Sequence, residues 1–325
     1  MADRPTALAT APLRGEGLER LRAIADVVLD PWIDQEPLRI YSAEELAERI
    51  DAEGADLLVV ESDAVTGPVL ERPLRAIGVC RGDPVNVDLA AASAAEIPVV
   101  HTPGRNADAV AEMTVALLMA VNRSIVIADA DMRAGRVFAG GTIPYQRFRA
   151  WQVAGRVFGI VGLGAVGRAT RWRMEGLGMT VISHDPYADD ATHSLPDLLA
   201  ESDVVSMHAP VTEETAGMMG AAQFLSMRDG AVYLNTARAA LHDVDALVDA
   251  LRSGKLRGAG LDHVDGEVLP EDHPLIGLRN VVLTPHIGGA TYDTEAVQTT
   301  MVADDFERIL RGDRPEHAAN PDLWS

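Results

Sequence analysis

Short apolar runs recur along this chain, separated by segments whose apolar positions fall three and four residues apart. Residues 6–9, 27–29, 57–60, 76–79 and 98–101 have the length and continuous apolar character of strands buried on both faces. Residues 13–25 read as a helix between the first two runs. A second helix starts at Ser42, with Glu45 three positions on as a capping box, and runs to about Ala52. A later series of runs, at 157–161, 179–183, 204–207, 231–234, 258–261 and 280–283, repeats the pattern, with helices between them such as 168–177 and 244–253. This alternation predicts an α/β chain of two doubly wound, parallel-sheet domains. Thr102-Pro103-Gly104 is a sharp break and a boundary candidate, and a helix over 107–122 follows it. Residues 135–155, rich in Gly, Arg and aromatics, read as irregular, and Arg147 and Arg149 there could reach a cleft or a partner subunit. The polar, proline-containing tail 315–325 is expected to pack back on the first domain.

One junction of strand and helix carries specific chemistry. Gly162-Leu163-Gly164-Ala165-Val166-Gly167 follows the run 157–161, precedes a helix, and has Asp185 eighteen residues beyond its last glycine, at the end of the next strand. That is a βαβ unit with a dinucleotide fingerprint. Gly162 permits the tight turn, Gly164 lets backbone approach a pyrophosphate, and Gly167 lets the helix pack close to the strand. The helix N-terminus then offers free N–H groups to phosphate. In isolation six such residues would be no more than a Gly-rich turn; the ordered strand, helix, strand and acid give them weight.

Composition narrows the partners. Lys+Arg number 28 against 49 Asp+Glu, a net charge of −21, which disfavours nucleic acid and anionic membranes as partners. A small anion can still bind if cationic groups line its site, because charge repulsion is screened over about 8 Å in cell-like salt. The single cysteine, Cys80, excludes an intramolecular disulfide and reads as a small buried filler. No signal-like segment and no apolar run of about 18 residues is evident, so a cytoplasmic chain is expected. The nine histidines show no metal-ligand spacing, and no metal is expected.

Arg238, Glu267 and His286 each follow a predicted strand of the second series, so all three belong to loops at the ligand-binding edge of a parallel sheet. Singly they would read as a surface arginine, a solvated acid and a satisfied histidine. Together with 99–104, the 160–167 fingerprint, 203–210, 234–238, 260–262, 283–289 and Asn320-Pro321, they make the chain resemble the D-isomer specific 2-hydroxyacid dehydrogenases, in family order over most of its length. The resemblance implies a flavodoxin-like substrate domain from residues 1–103 plus 291–325, and an inserted NAD-binding Rossmann domain over 104–290. It implies a small anionic 2-hydroxyacid or 2-oxoacid as substrate, NAD (NADH) as cofactor and a homodimer joined near the helix 107–122.

Roles follow from the same resemblance. Arg238 would grip the substrate carboxylate and carbonyl. His286 would exchange a proton with the substrate oxygen. Glu267 would hold His286 in one tautomer and raise its pKa. Asp262 would anchor the nicotinamide carboxamide, and Asp185 the adenosine ribose, favouring NAD over NADP. Gly162, Gly164, Ala165, Val166, Gly167, His208, Ala209, Pro210, Thr215, Thr236, Ala237, Arg238, His286 and Gly288 match positions that line the cofactor. Arg81, Gly82 and Asp83 match the loop that receives the substrate carboxylate.

The chain also departs from the family pattern. After Asp262, where Val-Phe is usual, it reads His263-Val264, and Asp265 competes with Glu267 for the acid's place. Ala239 follows Arg238 where glycine is common, a cost if that position needs a positive φ. Glu61 stands where an arginine usually helps bind phosphate, which argues against 3-phosphoglycerate. Arg81 is an extra cation that would meet a second anionic group on the substrate or pair with Asp83 or Glu61. Competing readings on this scaffold are a non-catalytic, NAD(H)-sensing protein like the family's corepressors, and a phosphonate- or phosphite-type oxidoreductase. Formate dehydrogenase fits less well, since it carries Gln in place of Glu267.

Overall fold

The computed structural model describes residues 4–324, which form two compact units: 4–105 with 291–324, and 106–290. In the first unit, strands β1 (Thr6–Ala9), β2 (Asp26–Leu29), β3 (Leu57–Val60), β4 (Ala76–Val79) and β5 (Val99–His101) pair in parallel in the order β2-β1-β3-β4-β5. β3 and β4 are buried at every residue, which is why they show no polar alternation. The helix Ala43–Glu53 opens with the expected capping box: Ser42 Oγ accepts from Glu45 N, and the Glu45 carboxylate accepts from Ser42 N. This helix lays Leu46 and Ile50 on one face of the sheet.

The other face is covered by the helix Tyr292–Arg311, whose Val302, Ala303 and Phe306 pack with Ala7, Ala9, Leu57, Val59 and Ala76. The apolar pattern does not predict this helix, because its buried stripe also contains Thr294, Gln298, Thr299 and Asp305. The Asp305 carboxylate accepts from the backbone N–H of Glu316 and of His317, which pins the turn beyond the helix. The tail then runs beside β5, with Ala319 N donating to Val99 O and Val99 N donating to the Asn320 side chain. Cys80 is fully buried, and burial pushes its thiol pKa up, so it is an inert filler.

The second unit carries β6 (Val157–Val161), β7 (Thr180–His184), β8 (Val204–Met207), β9 (Ala231–Asn235), β10 (Leu256–Leu261) and β11 (Val281–Leu283), all parallel, in the order β11-β10-β9-β8-β6-β7. Apolar clusters line both faces of this sheet. Both units are thus doubly wound α/β sheets, as the alternation predicts. Strand order reverses at β6, which has β7 on one side and β8 on the other. The loops after β6 and β8 therefore flank the crevice where such sheets bind ligands.

The helix Ala107–Asn122 is present over its expected range and packs Leu117 and Leu118 with Phe158, Ile160, Val232 and Leu234. A further helix, Ile125–Arg133, follows it and is not signalled by periodicity. Its Asp131 is buried and ion-paired with Arg136, Arg147 and Arg279, so Arg147 is committed to an internal acid. Among the described residues no single helix is long and apolar enough to cross a membrane. The two helices 107–122 and 125–133 pass that test only as a pair, bent by 60°.

Candidate active site

The glycine motif forms a cradle at the sheet's switch point. Gly162 sits at φ +96°, and a Cβ there would lie 2.5 Å from Ala209 N and 2.6 Å from the His208 carbonyl carbon. A Cβ on Gly167 would lie 2.2 Å from Gly162 O, so only glycine lets the helix Ala165–Gly176 start this close to β6. Gly164 is different: among the described residues no atom lies within 4 Å of the position its Cβ would take. The chain thus leaves open space above the helix N-terminus, where N–H groups of the first turn have no intrahelical acceptor. Asp185 is fixed from both sides, Oδ2 accepting from Leu163 N at 2.7 Å and Oδ1 from Tyr187 N at 2.8 Å. His208 Nε2 lies 2.9 Å from Ser206 Oγ, while its Nδ1 is buried with no partner among the described residues. Burial pushes the pKa of this imidazole down to about 4. An open glycine, an anchored acid and an orphaned nitrogen around one helix N-terminus fit a dinucleotide. Ala209 borders the cradle, whereas Thr215 turns its hydroxyl to Pro210 O and Thr236 turns its own to Thr114. Ala237 N donates to Asn235 Oδ1 and closes the turn that presents Arg238.

At the C-terminal ends of β9, β10 and β11 the fold gathers four polar side chains. His286 Nδ1 lies 3.0 Å from Glu267 Oε1, so it is Glu267, rather than Asp265, that meets the histidine. Both residues adopt left-handed backbone, φ +62° at Glu267 and φ +52° at His286, a conformation that side-chain-bearing residues hold only when their surroundings impose it. For His286 that constraint is visible. Asp262, 1% exposed, accepts from Thr284 Oγ1 (2.5 Å) and Ile287 N (3.0 Å) at Oδ1, and from Gly288 N (2.7 Å) at Oδ2. Asp262 and Gly288 therefore lock the loop that carries His286. Asn235 does the same for Arg238, donating from Nδ2 to the Arg238 carbonyl at 2.8 Å. Ala239 is not at positive φ, so the missing glycine costs nothing there.

The fourth member is His263, which the sequence marks only as a departure from the family pattern. It is 4% exposed. Its Nε2 lies 3.3 Å from Arg238 NH1, its Nδ1 is 3.6 Å from Glu267 Oε1, and its ring centroid is 3.6 Å from that of His286. Burial, followed by the neighbouring His286 and Arg238, pushes its pKa down to about 4. The ligand atoms of His263, Glu267 and His286 lie within 4.8 Å of one another, a grouping that sequence spacing does not reveal. The guanidinium of Arg238 against His263 works against a cation in the same place.

In the first unit, Arg81 makes no ion pair among the described residues. Glu61 instead accepts from Arg105 NH2 at 2.6 Å and from Trp32 Nε1 at 3.0 Å. The loop beyond β4 is tied by Thr102 N donating to Arg81 O and by His101 Nδ1 donating to Gly82 O at 2.8 Å. The N–H groups of Gly82 and Asp83 donate to no protein acceptor among the described residues, which leaves them available to an anion.

Comparison with known proteins bears on this geometry. Residues 115–288 match the family model described as D-isomer specific 2-hydroxyacid dehydrogenase, NAD binding domain. The chain is 36% identical over 306 residues to the Bacillus subtilis protein YoaD, covering 91% of this chain and 88% of that one. It is 33% identical over 331 residues to a glyoxylate reductase of Korarchaeum cryptofilum, covering 98% and 97% of the two chains. Among solved structures, the TT0316 protein of Thermus thermophilus matches with a TM-score of 0.80 at 36% identity, over 97% of this chain and 99% of that one.

Proposed function

The chain belongs to the D-isomer specific 2-hydroxyacid dehydrogenase family, with NAD(H) as cofactor, and from that premise we propose that it interconverts a D-2-hydroxyacid and its 2-oxoacid, with Arg238, Glu267 and His286 as the catalytic residues. The observation that carries this reading is the 3.0 Å Glu267–His286 pair, within a cluster that also contains Arg238. Glu267 accepts from Nδ1, so Nε2 is the nitrogen of His286 that can face a substrate oxygen. Arg238 spends NH1 on Ala237 O and His263, which leaves the other edge of its fork for a carboxylate. The dinucleotide held by the glycine cradle would, as NADH, supply the hydride that the carbonyl carbon receives. His286, as imidazolium, gives its Nε2 proton to the oxygen that accumulates charge, and solvent restores that proton at a ring whose side chain is 44% exposed. In the oxidising direction neutral His286 takes the hydroxyl proton. Gly162, Gly164, Ala165, Val166, Gly167, Asp185 and His208 are the residues we assign to the dinucleotide; Asp262 keeps one lone-pair direction on Oδ2 for a carboxamide.

In this reading the first unit is the substrate domain, and its loop Arg81–Asp83 has N–H groups that suit a carboxylate. Glu61, committed to Arg105 and Trp32, weighs against a phosphorylated substrate. The unpaired Arg81 favours an acid with a second anionic group. The homodimer is proposed to form along the segment after helix 107–122, where Phe138, Tyr145 and Trp151 are exposed. The test is NADH oxidation with glyoxylate, hydroxypyruvate, pyruvate and 2-oxoglutarate. Turnover on at least one acid is expected, together with a loss of at least a hundredfold in His286→Ala and Arg238→Ala. NADH binding without turnover on any of them would favour the sensing reading and defeat this one. Equal losses on mono- and dianionic acids in Arg81→Ala would remove its assigned role.

A further inference from the structure

We propose that His263 is a positioning residue that ties Arg238 to the Glu267–His286 pair: a neutral imidazole that accepts from the guanidinium at Nε2 and presents Nδ1–H to Glu267. The inference rests on the reaction proposed above and concerns a position where the resemblance provides an apolar side chain that could do neither.

The tautomer follows from the partners. Arginine only donates, so the Arg238 NH1 contact at 3.3 Å requires an unprotonated Nε2, and a neutral ring must then carry its proton on Nδ1. Nδ1 faces Glu267 Oε1 at 3.6 Å, the same oxygen that receives His286 Nδ1. A protonated His263 would lose its acceptor and set a third cation beside Arg238 and an imidazolium at His286. Burial opposes that, with the His263 pKa held at about 4. The ring is 4% exposed and meets His286 at a 50° tilt, so it cannot swing away from either neighbour. NH1 of Arg238 therefore has two fixed acceptors, Ala237 O at 2.7 Å and His263 Nε2. The guanidinium plane is set before any acid arrives, and its free edge does not have to be ordered on binding.

The experiment compares His263→Val with His263→Gln, whose amide oxygen can stand in for Nε2. In His263→Val the KM for the 2-oxoacid that the wild type turns over best rises about tenfold, the worth of one charge-assisted hydrogen bond, with kcat less affected. His263→Gln recovers most of the loss, and the Kd of NADH is unchanged in both. A KM within twofold of wild type in His263→Val, or equal impairment in the two variants, overturns the proposal. A second arm needs no variant to be active. Imidazole 15N spectra of the wild-type chain at neutral pH, with the His263 signals assigned by their absence in His263→Gln, show a neutral ring protonated at Nδ1; a ring protonated at Nε2, or at both nitrogens, overturns it. A chain that reduces none of the acids would defeat the proposed reaction, while this spectrum would still decide the tautomer.

Discussion

Replacing Asp262 by asparagine tests whether the histidine loop is held from beneath. The carboxylate receives three donors in a site that is 1% exposed: the Thr284 hydroxyl and Ile287 N at Oδ1, and Gly288 N at Oδ2. The amide keeps one acceptor oxygen and turns an NH2 toward whatever the other oxygen served. With the amide oxygen at the Oδ1 position, two bonds survive without charge assistance, and Gly288 N faces a second donor. At 1% exposure the folded chain offers Gly288 N no ready substitute acceptor. One buried N–H left unpaired and two weakened bonds cost roughly 2–4 kcal/mol. Relief comes by letting residues 284–288 relax, and His286 then has little reason to stay at φ +52°. A displacement of about 1 Å at a proton donor lowers kcat/KM about a hundredfold. Urea unfolding followed by tryptophan fluorescence and steady-state kinetics with NADH read the two effects. Asp262→Asn with unchanged stability and full turnover would refute the reasoning. Lost turnover with unchanged stability would instead assign Asp262 to the cofactor alone.

The cradle makes a contrasting pair. Gly164→Ala meets no atom of the described residues within 4 Å, so it folds as wild type by thermal melting yet binds NADH at least tenfold more weakly; unchanged affinity would remove the dinucleotide from that space. Gly167→Ala drives a Cβ to 2.2 Å from Gly162 O and lowers both melting temperature and affinity, and a wild-type melt would contradict that packing. Acid sensitivity follows from His208, His242 and His263, each pushed from 6.5 down to about 4, chiefly by burial. The unfolded chain takes up these protons as pH falls below 6.5, while the folded chain resists until about 4. Stability is therefore full above that window and is lost through it, at about 1 kcal/mol per pH unit for each imidazole. A urea midpoint that stays flat across the window would contradict three neutral rings.

Much of the architecture is legible in the sequence because strands such as β3 and β4, buried on both faces, leave an unambiguous apolar trace. The glycine motif is legible for a related reason, since sterics at Gly162 and Gly167 exclude every other residue. The helix Tyr292–Arg311 is not, because its covered side mixes Thr294, Gln298, Thr299 and Asp305 with apolar residues, and Gln298 and Asp305 meet their partners, Pro12 O and the N–H groups of Glu316 and His317, only in the folded chain. His263 escapes for the opposite cause. It stands out as an unusual residue, but nothing in the linear order says that a strand-end side chain will lie between residues 238 and 286. Likewise the bonds that Asp262 receives depend on Ile287 and Gly288 folding back over β10, a long-range event without local signal.

The helix that covers β1, β3 and β4 lies more than two hundred residues downstream of the strands it protects, so a ribosome releases these parts far apart in time. While residues 106–290 emerge as one uninterrupted stretch and complete their own sheet, the earlier one waits without Val302, Ala303 and Phe306, which close the cluster around Ala7, Ala9, Leu57, Val59 and Ala76. The sheet that is made first is thus the one whose core is completed last.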